Sequence, residues 1–201
     1  MLNLDVLPSP LWVLGTGTGV GKTFVAARIA QAWARQGPVS YRKPFQTGVD
    51  RADHPEADAR AVRGSGIVAE SHVLLRAPLS PLAAAQLEGR VLDLAATARW
   101  CQRPAEGRVL LEGVGGLMVP LAPQVHFLAW ATELKIPCVL VALGGLGTLN
   151  HTLLSAEALM LRGWRIEAVL LNPGADGTTP AVAEENAGLL RGFLPMPVEV
   201  L

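Results

Sequence analysis

The chain has 201 residues, 50% hydrophobic and 17% charged, with seventeen basic and seventeen acidic side chains. That excludes a disordered chain and leaves room for one sizeable α/β core, 1–201, rather than two full domains. No basic field points to nucleic acid or membrane, Cys101 and Cys138 give no disulfide or zinc framework, and neither a leader nor a long apolar run is present, so a cytoplasmic protein is expected.

Residues 1–10 form a polar, proline-containing lead in which little order is expected. Residues 11–14, Leu-Trp-Val-Leu, read as a buried strand, and Gly15-Thr16-Gly17-Thr18-Gly19-Val20-Gly21-Lys22-Thr23 follows. A helical pattern over 24–36 leaves this loop and stops at Gly37-Pro38. Strand, glycine loop, helix is the context of a phosphate-binding loop. Four glycines let successive N–H groups turn toward one anion, and the helix start adds partial positive charge. Lys22 brings a mobile ammonium to the outer phosphates, and the Thr23 hydroxyl suits Mg²⁺. The spacing between Gly15 and Gly21-Lys22-Thr23 makes the loop one residue longer than the usual G-x4-G-K-[ST].

Residues 39–42 read as a second strand, ending in the loop Lys43-Pro44-Phe45-Gln46-Thr47-Gly48. Ligands of open α/β sheets bind at such strand ends. Residues 56–63 look helical, 64–66 break the chain, and 67–76 carry no assigned element. Pro78-Leu79-Ser80-Pro81 is a rigid turn before helices over 82–88 and 92–101. Arg108–Glu112 is an apolar strand ending in an acid and followed at once by Gly113-Val114-Gly115-Gly116. Residues 125–134 read as a helix, and 137–143 as the most apolar strand, expected to be central in the sheet. Gly144 to His151 leads into a helix reaching about residue 162. A strand over 165–171 ends at Asn172-Pro173-Gly174, Pro180–Arg191 is a last helix, and 194–201 closes with a short strand. Strands alternating with helices predict a mostly parallel, doubly wound sheet with helices on both faces.

The candidate chemistry lies in the loops after the strands. Glu112 ends its strand beside the phosphate loop, where an acid completing Mg²⁺ coordination belongs. Asp50, Asp53, Glu56 and Asp58 form an acidic patch, among which chemistry alone does not choose. His151 reads as a capping or packing residue, and His54, His72 and His126 give no zinc signature.

Together these segments resemble the dethiobiotin synthetases, ATP-dependent enzymes of biotin synthesis. The matching pieces are GTGTGVGKT (15–23), KPFQTG (43–48), PLSP with EGR downstream (78–81, 88–90), EGVGGLMVP (112–120), LGTLNHTLLS (146–155) and LLNP (170–173), in the family's order. The resemblance implies that a diamine, 7,8-diaminopelargonate, takes up CO₂ as a carbamate, ATP phosphorylates it, and the second amine closes a cyclic urea. By position, Thr18, Lys22, Lys43 and Thr47 match residues around the carbamate and phosphates. Gly17, Gly19, Val20, Gly21, Lys22 and Thr23 match the nucleotide loop, with Gly115 beside the substrate. Thr23, Asp58 and Glu112 match the metal shell, which selects Asp58 from the acidic patch. Asn172 matches an adenine contact. Gly147-Thr148-Leu149-Asn150 resemble the site for the substrate's carboxylate tail, offered across a homodimer interface.

Two departures stand out. Many members carry an acid in the loop where this chain has Gly17 and Gly19, and the family often continues past residue 201 with a segment that helps hold the base. Weak discrimination among nucleotide bases is therefore expected. The competing reading is a partitioning-type P-loop ATPase acting through protein partners. Such proteins usually carry a lysine early in the loop, where this chain has Gly15 to Gly19, and often add a basic surface or amphipathic tail.

Overall fold

The computed structural model describes residues 2–51, 53–175 and 177–201. In chain order the elements are β1 (Leu11–Gly15), α1 (Lys22–Ala34), β2 (Val39–Thr47), α2 (Asp58–Val62), β3 (Ile67–Leu75), α3 (Pro81–Leu87), α4 (Leu94–Gln102) and β4 (Arg108–Glu112). A small hairpin, β5 (Pro120–Ala122) and β6 (Val125–His126), precedes α5 (Phe127–Thr132), β7 (Cys138–Leu143), α6 (Thr148–Met160), β8 (Ile166–Asn172), α7 (Pro180–Arg191) and β9 (Val198–Val200).

Seven strands form one sheet in the order β3-β2-β4-β1-β7-β8-β9, and every neighbouring pair is parallel. β1 lies in the middle and is buried throughout, as its continuous apolar run requires. Its side chains alternate between two cores. Leu11 and Val13 pack with Val25, Ile29 and Trp33 of α1 on one face. Trp12 and Leu14 pack on the other with Phe127, Trp130 and the inner residues of α6 and α7. Trp12 meets Phe127 edge to face at 5.5 Å, and Trp130 meets Phe45 at 5.2 Å. The expected doubly wound sheet with helices on both faces is therefore present.

The helices start in different ways. Ser80, Asp93, His126 and Thr179 cap α3, α4, α5 and α7 by accepting a backbone N–H of the first turn. α1 and α6 begin instead at left-handed glycines, Gly21 (φ 97°) and Gly147 (φ 87°), with no side-chain cap.

Four sequence expectations need correction. The lead is docked rather than loose: Leu7 is buried, the Trp33 indole donates to Leu4 O at 2.9 Å, and the Arg108 guanidinium donates to Asp5 O and Leu7 O. Its carbonyls have partners more than twenty residues away, which no local pattern reveals. Residues 43–47 continue β2 instead of forming a loop, because β3 pairs with them up to Thr47↔Leu75. Strand β3 itself lies in the unassigned stretch; it is an edge strand with exposed and buried residues mixed, so no long apolar run marks it. The helix read over 125–134 begins only at Phe127, since Val125 and His126 pair with β5. The most apolar strand, β7, lies one place from the sheet centre.

Candidate active site

The parallel sheet brings the loops after β1, β2, β4, β7 and β8 to one edge. The loop after β1 curls tightly. Gly19 and Gly21 have φ of 75° and 97°, and a Cβ on Gly21 would lie 2.0 Å from Asn172 Nδ2. Only glycine fits there, by conformation and by contact. Asn172 Nδ2 donates to Val20 O at 3.1 Å, so the end of β8 holds the loop in place.

Lys22 Nζ donates to Gly17 O and to Gly115 O, both at 2.8 Å, tying the phosphate loop to the loop after β4. Its ammonium is buried, and burial together with the nearby Lys43 charge pulls its pKa down to about 8. Gly115 takes a left-handed φ of 54°, and a Cβ there would lie 2.7 Å from Val119 Cγ2. Gly115 can therefore present its carbonyl to Lys22 only because it lacks a side chain.

Beneath the loop lies a buried charge cluster. Lys43 Nζ sits 2.7 Å from Asp58 Oδ2, 2.6 Å from Glu112 Oε1 and 2.9 Å from Gly113 O. The Thr23 hydroxyl lies 2.9 Å from both Asp58 Oδ1 and Glu112 Oε1. Burial alone would discharge Lys43, but Glu112 and Asp58 outweigh it and hold the pKa above the ordinary lysine value. Burial likewise works against the Asp58 carboxylate, and the Lys43 ammonium overcomes it, so Asp58 stays below the usual carboxylate range.

These groups line one cleft of 640 Å³, which includes Thr18, Lys22, Lys43, Thr47, Asp58 and Glu112. Gly19, Gly21, Thr23 and Gly115 border the same cleft, and Pro78 and Ser80 of the PLSP turn also line it. Of the acidic patch only Asp58 reaches it. Asp50 and Glu56 are exposed, and Asp53 pairs with Arg51 at 3.0 Å. His151 is exposed beside Gly147, while His126 caps α5 and His72 stacks on Trp100.

Gly147, Thr148, Leu149 and Asn150 do not line this cleft. Thr148 borders a separate cavity of 230 Å³ on the other side of the phosphate loop, with Thr16, Gly17, Thr18, Val20 and His151. Its hydroxyl donates to Leu143 O at 2.6 Å, so the side chain closes the turn after β7.

Two further site residues escape the sequence reading. Tyr41 donates its phenol proton to Glu112 Oε2 at 2.7 Å, and Gln46 Oε1 accepts from the Asp58 backbone N–H at 3.2 Å. Strand period 2, counted back from Lys43, would have brought Tyr41 to notice had 43–47 been read as strand.

A glycine loop between a central parallel strand and its helix, closed by Lys22 and Thr23 and backed by a strand-end acid, defines a P-loop nucleotide-binding protein. A family model described as an AAA domain matches residues 10–198. Solved structures share the fold at low identity. Chloroplast FtsY from Physcomitrella patens matches with a TM-score of 0.58 and 19% identity, over 100% of this chain and 60% of that one. The septum site-determining protein MinD from Pyrococcus horikoshii, complexed with Mg-ADP, matches with a TM-score of 0.58 and 16% identity, over 95% of this chain and 79% of that one. Sequence relatives are nearer. The ATP-dependent dethiobiotin synthetase BioD of Methylobacterium nodulans is 37% identical over 195 residues, 88% of this chain and 87% of the relative. That of Haloferax mediterranei is 38% identical over 185 residues, 88% of this chain and 79% of the relative. The chain belongs to the ATP-dependent dethiobiotin synthetase family.

Proposed function

We infer that this chain is an ATP-dependent cyclo-ligase of biotin synthesis, closing 7,8-diaminopelargonate and CO₂ into dethiobiotin with release of ADP and phosphate. What carries the reading is the meeting of three family motifs in one cleft: the loop at 15–23, Lys43 of KPFQTG and Glu112-Gly113 of EGVGG. A carbamate oxygen attacks the γ-phosphorus, ADP leaves, and the second amine then attacks the carbamoyl carbon and expels phosphate. Both reacting partners of the first step are anions. Lys22 and Lys43 supply the positive charge that lets them approach, and the N–H groups of the loop and of the first turn of α1 hold the phosphates. Thr18 and Thr47 line the cleft and orient the carbamate. Asn172 lies outside that lining with its Nδ2 on Val20 O, and the adenine contact that the family resemblance gives it is taken up from behind the phosphate loop.

Thr23 Oγ1 and the carboxylates of Asp58 and Glu112 form an all-oxygen donor set, each carboxylate 2.9 Å from the threonine hydroxyl. That is the chemistry of a Mg²⁺ site, and these three residues would hold the ion directly or through water. Bound there, Mg²⁺ supplies charge neutralisation for the transferring phosphoryl group.

The active unit is proposed to be a homodimer. Met118, Leu146, Leu154 and Leu161 are exposed around α6, and a groove of 630 Å³ runs between the 116–120 segment and that helix. A second copy of the chain would cover this face. The same arrangement gives Gly147 to Asn150 a use. They lie outside their own cleft, and across a two-fold axis the uncapped start of α6 would receive the carboxylate tail of substrate held by the partner.

Among the described residues no helix is long and apolar enough to cross a membrane, and a cytoplasmic location is proposed with the biosynthetic role. The partitioning-type reading rests on MinD-like fold similarity at 16% identity, which speaks to fold alone. The deciding experiment incubates purified protein with ATP, Mg²⁺, bicarbonate and the diamine, and follows the cyclic urea by mass spectrometry. Diamine-dependent ADP release with product at matching yield is expected. ATP hydrolysis indifferent to the diamine, with no urea formed, would overturn the proposal.

A further inference from the structure

Tyr41 is the only tyrosine in the chain, and it is fully buried. It stands on β2 two residues before Lys43, and the two side chains reach the two oxygens of one carboxylate. Lys43 Nζ lies 2.6 Å from Glu112 Oε1, and the Tyr41 hydroxyl donates to Glu112 Oε2 at 2.7 Å. Glu112 is itself 1% exposed, so no water competes for that second oxygen. A buried carboxylate held at one oxygen only can still rotate about its Cγ–Cδ bond. Held at both, it has one orientation, with Oε1 turned to Thr23 and Lys43. β4 presents Glu112 at the register position beside Val13, directly under the phosphate loop.

We propose that Tyr41 is a positioning residue for the reaction: its phenol fixes the Glu112 carboxylate in the orientation that serves the divalent cation. This rests on the metal reading of Thr23, Asp58 and Glu112. Groups that orient metal ligands from behind typically change metal affinity by roughly 10–100-fold when removed.

The test reads cation binding without turnover. Mn²⁺ bound to the ADP-loaded protein is followed by electron paramagnetic resonance in wild type, Tyr41→Phe, Glu112→Gln and the double variant. Phenylalanine keeps the ring and removes only the hydroxyl. The Mn²⁺ dissociation constant should rise roughly tenfold or more in Tyr41→Phe, while ADP affinity without divalent cation stays within twofold of wild type. In the Glu112→Gln background the same change should add less than twofold, because the carboxylate that Tyr41 orients is gone. A second readout leaves the protein unaltered. ¹³Cζ-tyrosine labelling gives a single resonance, which should shift when Mg²⁺ is added to the ADP complex. An unmoved Mn²⁺ constant in folded Tyr41→Phe, an effect that persists in the Glu112→Gln background, or a resonance indifferent to Mg²⁺ overturns the positioning role. If wild type with ADP binds no Mn²⁺ at all, the metal reading falls and this proposal with it.

Discussion

Replacing Lys43 by glutamine should damage both stability and turnover, and the structure sets the size of each. Lys43 is 3% exposed, and its ammonium sits 2.7 Å from Asp58 and 2.6 Å from Glu112. Its removal leaves two carboxylates facing each other with the Thr23 hydroxyl between them. Breaking a buried ion pair by deleting one partner costs about 3–5 kcal/mol. Asp58 keeps 23% of its side chain in solvent, and glutamine retains two N–H donors, so the lower end, about 3 kcal/mol, applies. For a chain of this length that is a fall in Tm of roughly 6–12 °C at pH 7. The pH dependence has a definite sign. The folded pKa of Asp58 is depressed, so its stabilisation is present above the ordinary carboxylate range and is lost as pH falls through the folded value. The folded pKa of Lys43 is raised, so its share is present below the ordinary lysine value and is lost as pH rises through the folded one. In the variant the Asp58 carboxylate, without the Lys43 charge beside it, takes up a proton more readily, and the gap in Tm should narrow between pH 7 and about pH 4. Turnover per folded molecule should fall by about 10²-fold or more, the scale of losing one preorganised transition-state donor. Thermal unfolding at pH 7 and pH 4 with a folded-fraction-corrected assay reads all three effects. A Tm loss under about 2 °C at pH 7, or an equal loss at both pH values, would refute the buried-cluster account.

Asp58→Asn keeps the shape of the side chain but removes one of the two proposed metal carboxylates, so the Mg²⁺ midpoint for activity should rise about tenfold or more; a midpoint that stays put would mean another acid serves the ion. Lys22, with its pKa at about 8, should regain its proton when phosphates bind. Nucleotide binding at pH 8.5 should therefore take up protons, and ADP affinity should decline as pH rises past 8. Calorimetry in two buffers of different ionisation enthalpy measures the uptake, and zero uptake would contradict the lowered pKa. Mixing a Lys22→Ala protein with a variant disabled at Thr148–Asn150 should restore part of the activity, since one hybrid site of a shared-site dimer keeps both intact halves. No recovery after confirmed subunit exchange would count against sharing.

Much of this protein was legible because it is locally encoded. The apolar run of β1, the glycines of the loop, Lys22-Thr23 and the helix behind them are consecutive, so period and glycine placement suffice. The parallel topology followed from strands alternating with helices, and Glu112 showed itself as an acid closing an apolar strand. What tertiary structure decided involves partners far apart in sequence. Residues 43–47 are strand only because β3, an edge strand without a strong apolar signature, pairs with them. Asp58 is the one acid of its patch in the cleft because Gln46 and Lys43 hold the start of α2 there; the residues around Asp58 look no different from those around Glu56. Tyr41 meets Glu112 across 71 residues of chain. Residues 147–150, read as a substrate-tail site offered across a dimer interface, lie outside the cleft of their own chain, and Thr148 borders a separate cavity. Sequence pattern reports which way a side chain points within its own element. Which groups share a cleft depends on the order in which strands are laid into the sheet, and that order is set by burial summed over the whole core.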